Sequence, residues 1–268
     1  MTRRPVSESL GCHVKGVAPP HPCHDEPLNY AGAAFKRVGA YMPERPKSLY
    51  EELEEFTTAL LKKWERKYGF RRLTSEDYSV EQWLNEINAP GSRKRQLYEV
   101  SKKNYSPNKH TVVKMFIKDE FYDEYKYPRL IMSRHDRFKC RVGPMFHRIE
   151  KVLFSLPMFI KKIPVSERGE YIRKYLWKPN SKYFATDFSA YESHFTPEMM
   201  RAIEFVLYRH MAPNDSEGRQ FLSDIEVLCG RNRCVNKLAS VWINGVRMSG
   251  EMNTSLGNSF ANYVLIKF

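Results

Sequence analysis

Between Lys47 and Tyr68 the apolar residues Leu49, Leu53, Phe56, Leu60, Leu61 and Trp64 recur at intervals of three and four. That spacing makes a single face only when the backbone is an α-helix, and it predicts an amphipathic packing helix ending near Gly69. The strand patterns are brief by comparison: Val112 to Ile117, Tyr183 to Phe188, and a pair, Cys234 to Ile243 and Val246 to Met248. Helices interrupted by a few short strands point to an α+β fold.

The remaining elements follow from local chemistry. Ser79 opens a second helix through Trp83, Leu84 and Ile87, closed by Pro90-Gly91, and a basic helix-like run spans Arg93 to Lys103. Pro164 precedes a helix over Glu167 to Leu176. Thr196-Pro197 is a cap and first-turn pair for a helix whose apolar face is Met200, Ile203, Val206, Leu207 and Met211. Asn244-Gly245, between strand patterns, predicts a type I′ hairpin, and a helix runs from Thr254 to the end. Met1 to Pro46, rich in Pro and Gly, reads as an irregular arm.

With 42% hydrophobic and 28% charged residues, the 268-residue chain has the apolar material to fold, as one large domain or two ordinary ones. Its formal net charge of +13 implies an anionic partner. The excess is local: Arg93 to Lys151 holds sixteen Lys/Arg against seven Asp/Glu, whereas Ser181 to Phe268 holds nine of each. Tyr98, Tyr105, Phe116, Phe121, Tyr122, Tyr125, Tyr127 and Phe138 interleave with that basic block, a composition suited to a nucleic-acid or nucleotide channel.

Cys12, Cys23, Cys140, Cys229 and Cys234 form no regular framework, so reduced thiols are expected. Cys12, His13, His21, Cys23 and His24 cluster without the paired spacing of a zinc finger. No window approaches the ~18 uninterrupted apolar residues of a spanning helix.

Two strings carry chemistry. In Ala185-Thr-Asp-Phe-Ser-Ala-Tyr-Glu192, Asp187 stands at the predicted exit of a strand and Glu192 five residues on, so the two acids around one turn can share a cation site. In Met248-Ser-Gly-Glu-Met-Asn-Thr-Ser-Leu-Gly-Asn258 a glycine-bearing loop opens a helix, with Thr254 and Asn258 one turn apart. Ser, Thr and Asn there can bond a sugar hydroxyl or a template backbone.

The first string resembles motif A, and the second motif B, of the RNA-dependent RNA polymerases of positive-strand RNA viruses, with closest flavour to the tombusvirus-like and nodavirus-like groups. Lys118-Asp-Glu120, Pro128-Arg-Leu-Ile131 and Arg134 are similar to the family's basic motif F, and the resemblance covers about Ser79 to Phe268. It implies a right-hand polymerase: an irregular arm over 1–46, fingers over 47–178, and a partial palm over 179–268, the palm an antiparallel sheet backed by helices.

The chemistry implied is nucleotidyl transfer from NTPs to an RNA 3′-hydroxyl with two Mg²⁺ (or Mn²⁺) ions, Asp187 serving as metal ligand. Lys118 and Arg129, with Arg134 a weaker candidate, would neutralise the triphosphate. Glu192 and Asn258, with Thr254, would recognise the ribose 2′-hydroxyl; the family usually has Asp where Glu192 stands. Ser249 and Gly250 would form the loop that meets template or substrate.

Implied partners are template and nascent RNA, NTPs and other viral replication proteins, in the host cytoplasm or a membrane-associated replication complex. The family's motif C, a Gly-Asp-Asp turn, does not appear before Phe268, and the expectation is a truncated chain inactive alone. The alternatives left open are a non-catalytic RNA-binding protein and a defective polymerase-like fragment.

Overall fold

The computed structural model describes residues 22–39, 43–74, 79–122 and 126–268. Cys12, His13, His21 and Tyr125 lie outside them. The first helix, α1 (Pro27–Ala33), has Pro27 in its first turn and the Glu26 carboxylate accepting from the Leu28 amide at 3.1 Å; a π-helical turn, Ala34–Val38, continues it. Helix thus replaces irregular chain in part of the expected arm. A helix this short shows no clear period in sequence, and its drive is tertiary, through Tyr30, Ala33 and Ala34 buried against the sheet.

Helix α2 (Lys47–Tyr68) matches its predicted span and ends at Gly69, whose φ of +65° is the left-handed stop. α3 (Val80–Glu86) is capped by Ser79, whose hydroxyl accepts from the Gln82 amide at 3.0 Å. α4 (Gly91–Ser101) and the single turn α5 (Pro107–His110) lead into β1 (Val113–Ile117) and β2 (Leu130–Arg134). Then come α6 (Asp136–Leu153), α7 (Val165–Tyr175), α8 (Pro197–Ala202), α9 (Glu204–Met211) and α10 (Ser216–Ile225). β3 (Asn232–Val235), β4 (Ser240–Ile243) and α11 (Thr254–Lys267) complete the chain.

The strands form one mixed sheet of order β2-β1-β3-β4. Two antiparallel hairpins meet side by side because β1 and β3 run parallel, Val113 opposite Cys234 and Lys114 opposite Val235. The sheet is therefore mixed, and it draws strands from both sides of position 178. One face of the sheet packs on α1. The main core lies beside it, where α2, α6, α8, α9, α10 and α11 bury Leu61, Trp64, Phe146, Met200, Leu207, Phe221 and Phe260 together.

Two predicted elements are absent. Tyr183 to Phe188 forms no strand and is exposed, Phe184 at 79%. No strand pairs with it among the described residues, so its backbone groups face water rather than a ladder. The hairpin turn, in turn, falls at Asn236 to Ala239 and not at Asn244-Gly245. The Asn236 side chain accepts from the Leu238 and Ala239 amides at 2.7 and 2.6 Å, supplying the turn itself. Gly245 serves a different need: a Cβ there would lie 2.4 Å from the Cys229 carbonyl oxygen.

Candidate functional site

The loop before α11 is built by close approach and by one hydroxyl. Gly250 has φ +112°, and a Cβ on it would sit 2.9 Å from both Ile131 Cγ2 and the Met132 carbonyl oxygen. The Met132 amide donates to the Ser249 carbonyl at 2.6 Å, tying the loop to β2. Thr254 Oγ1 donates to the Met248 carbonyl at 2.9 Å and accepts from the Gly250 amide at 3.3 Å. Its hydroxyl therefore closes the loop.

One turn further along α11, Asn258 reaches across to the acid singled out in the sequence. Its Nδ2 donates to Glu192 Oε1 at 3.1 Å. Glu192 sits in a 3-10 turn, Tyr191–His194, entered through Ala190 at φ +49°, a left-handed conformation that a residue with a Cβ holds only under local constraint. Ala190 is held there by Ser193, whose amide and hydroxyl both donate to its carbonyl.

Behind this pair lies a buried polar network. Arg247 donates through Nη1 to Asn258 Oδ1 and through Nη2 to Glu204 Oε1, and its guanidinium lies 3.8 Å from the centre of the Phe195 ring. Glu204 Oε2 accepts from Tyr208 Oη at 3.1 Å and Asn253 Nδ2 at 3.3 Å. Both ionic side chains are 1% exposed. Burial pushes the Arg247 guanidinium down to about 9, which leaves it charged at neutral pH.

The cations of the basic block divide into two groups. Lys118 and Arg129, half exposed, both turn onto Glu120: Lys118 Nζ at 2.9 Å, and Arg129 through Nε at 2.5 Å and through Nη2. Arg129, then Lys118, hold the Glu120 carboxyl down at about 2, against the opposing effect of burial. Arg134 is placed quite differently. It is buried, paired with Glu251 at 2.7 Å, and donates to the Thr111 carbonyl and Asn232 Oδ1 at 2.6 Å each. As an inward residue of β2 it lies buried, unlike the half-exposed Lys118 and Arg129.

Several aromatics of the block are also engaged inside the protein. Lys102 lies over Tyr98 at 3.9 Å, Arg141 over Tyr105 at 4.6 Å and Lys126 over Tyr122 at 4.9 Å, whereas Phe116 and Phe121 remain exposed.

A cavity of about 50 Å³ gathers residues from three distant strings: Arg129 and Met132, Ala190 and Glu192, Arg247 and Ser249, with Arg37 at its side. Its volume has room for only a few water molecules. The family model described as viral RNA-dependent RNA polymerase matches residues 33–268. The chain belongs to that family. A search of curated proteins finds no match.

In this polymerase chain Arg129, Glu192 and Ser249 meet at the cavity, Asn258 joins them through Glu192, and Lys118 joins through Glu120. Gly250 and Thr254 shape the loop. Asp187 lies on the exposed stretch before Ala190 and does not line the cavity. Among the described residues no group of three or more His, Cys, Asp or Glu could hold a metal ion, and no helix is long and apolar enough to cross a membrane. Asp187 alone does not make a two-metal centre.

Arg247 and Glu204 were not among the residues singled out in sequence. The sign was there for Glu204: an acid inside the apolar run Ile203 to Tyr208 requires a buried partner.

Proposed function

We propose that this chain carries the nucleotide-recognising part of an RNA-directed RNA polymerase, which copies viral RNA by template-directed transfer of nucleotides from NTPs to an RNA 3′-hydroxyl. The observation that carries the reading is the Asn258–Glu192 contact of 3.1 Å beside a cavity shared with Arg129 and Ser249. An ionised Glu192 only accepts, and with Oε1 taken by Asn258 its other oxygen is left to accept from a ribose hydroxyl. A 2′-deoxyribose has no hydrogen to offer it, so a polar group is left unmatched.

Lys118 and Arg129 serve the triphosphate. Glu120 holds both on one side, and a triphosphate, with more negative charge than one carboxylate, draws them away. Ser249 and Gly250 present the loop to template and substrate. Asp187 is the residue that would serve as a metal ligand in that chemistry. In this reading 47–178 contributes fingers and 179–268 palm, the two sharing the mixed sheet.

Competition binding tests the assignment. A fluorescent ATP analogue bound to the purified protein is displaced by ATP and by dATP; ATP is expected to compete more tightly by about 10- to 100-fold, the range for one unmatched polar group. Equal competition refutes the ribose assignment. The chemistry is tested separately by Asp187→Ala in an enzyme that also carries motif C: lost RNA synthesis with retained RNA binding supports a polymerase, and unchanged synthesis removes Asp187 from it.

A further inference from the structure

Arg247 belongs to neither sequence string that suggested the ribose contact, yet it bears on how that contact is made. A side-chain amide can be turned either way, with its oxygen or its nitrogen toward a given neighbour. Asn258 lies between two neighbours of opposite kind. On one side is the Arg247 guanidinium, which has donors and no acceptor; on the other is the Glu192 carboxylate, which when ionised has acceptors and no donor. Only one orientation satisfies both, with Oδ1 toward Arg247 and Nδ2 toward Glu192.

Arg247 is itself immobilised. Glu204 grips its second nitrogen, the Phe195 ring covers its face at 3.8 Å, and Tyr208 and Asn253 occupy the other Glu204 oxygen. Helix α11 comes close enough for this because Gly257 has no side chain: a Cβ there would stand 2.1 Å from Glu204 Oε2 and 3.2 Å from Arg247 Cζ. The chain of contacts thus runs from a fully buried acid on α9, through one guanidinium, to the amide on α11 and the carboxylate beside the cavity.

We infer that Arg247 is a positioning residue for sugar selection: by fixing the Asn258 amide it presents Glu192 to the ribose hydroxyl, and the discrimination between ribose and deoxyribose depends on it. This rests on the ribose assignment made above for Glu192 and Asn258. Without the guanidinium Oδ1 loses its donor, only the Glu192 carboxylate is left to orient the amide, and Asn258 no longer holds Glu192 firmly toward the sugar.

The readout is the ratio of dATP to ATP competition constants, which a general loss of stability does not change. Three proteins are compared with the unsubstituted one: Asn258→Ala, Arg247→Lys, and the double variant Arg247→Met with Glu204→Leu. Lysine keeps the buried charge beside Glu204 but lacks the planar fork that reaches Asn258 as well. The double variant removes both charges together, a replacement that buried ion pairs tolerate, so it keeps the test open if Arg247→Lys does not fold. The expected result is a fall in the ratio of at least about fivefold in all three, the worth of one net hydrogen bond, with dATP affinity nearly unchanged.

A reduced ratio in Asn258→Ala with an undiminished ratio in the folded Arg247 variants overturns the positioning role and leaves the ribose assignment standing. An undiminished ratio in Asn258→Ala overturns the ribose assignment, and the role of Arg247 with it.

Discussion

Replacing Gly257 by alanine sets helix propensity against the buried network, and the network is expected to win. In the interior of α11, Gly→Ala ordinarily stabilises by about 1 kcal/mol. Here the added Cβ would stand 2.1 Å from Glu204 Oε2 and 2.9 Å from Glu204 Cδ. Ordinary contact is near 3.5 Å, so the carboxylate must retreat by more than about 1 Å. A free glutamate would swing aside at little cost, but Glu204 is fully buried and held by Arg247, Tyr208 and Asn253. Breaking such a pair costs about 3–5 kcal/mol, and after the propensity gain a net loss of about 2–4 kcal/mol remains.

The control is Gly169, within the exposed helix α7, where a Cβ meets nothing within 4 Å. Gly169→Ala is expected to stabilise by about 0.5–1 kcal/mol. Urea denaturation at neutral pH measures both, read as shifts in midpoint at unchanged slope. A Gly257→Ala midpoint equal to or above that of the unsubstituted protein would refute the claim that Glu204 is locked, and with it the rigidity attributed to Arg247.

Glu120 gives a pH test. Its carboxyl is lowered from 4.5 to about 2, chiefly by Arg129, so ionised Glu120 contributes stability that is present above pH 4.5 and lost as the pH falls toward 2. The stability gap between the unsubstituted protein and Glu120→Gln, about 1–2 kcal/mol with its half-exposed partners allowed for, should hold from pH 7 to 5 and close between pH 4.5 and 2; a gap unchanged at pH 2.5 contradicts the pairing. Arg134→Met should lower stability by about 3 kcal/mol or more by stranding buried Glu251, while Arg129→Met should leave the midpoint within about 1 kcal/mol and weaken ATP binding; thermal melts and ATP titrations would expose a reversal of these roles. Asn236→Ala should cost about 1 kcal/mol and Asn244→Ala little, so equal losses in denaturation midpoint would return the hairpin turn to Asn244.

Much of the helical framework was legible because its causes are local. The spacing in Lys47–Tyr68, the Ser79 and Thr196 caps and the glycine stop at position 69 act within a few residues. Helix α6 was not legible, since Gly143-Pro144 reads as a break. In the structure Gly143 makes room for Trp83, with a Cβ only 2.9 Å from its ring, and the helix continues through Pro144 under tertiary packing. The Tyr183 to Phe188 alternation has the period of a strand, but a strand also needs a partner, which no local pattern reveals. At the site, Glu192, Asn258, Arg129 and Ser249 were recognisable by type and by resemblance, whereas Arg247 was not, because its meaning lies in neighbours 11 and 43 residues away.

The parallel join of β1 to β3 also sets an order of events. The β1–β2 hairpin can close as soon as its own residues exist, but β1 finds its other neighbour only at Cys234 and Val235, and β2 meets the loop only at Ser249. On a ribosome adding about 5–20 residues per second, the roughly 120 residues between β1 and β3 take about 6–25 s to emerge. For that interval β1 presents an open edge beside unburied valine, methionine and isoleucine, a period in which a chaperone has something to hold. The cavity, whose walls come from both ends of that gap, cannot form until β3 and the loop at Ser249 have emerged.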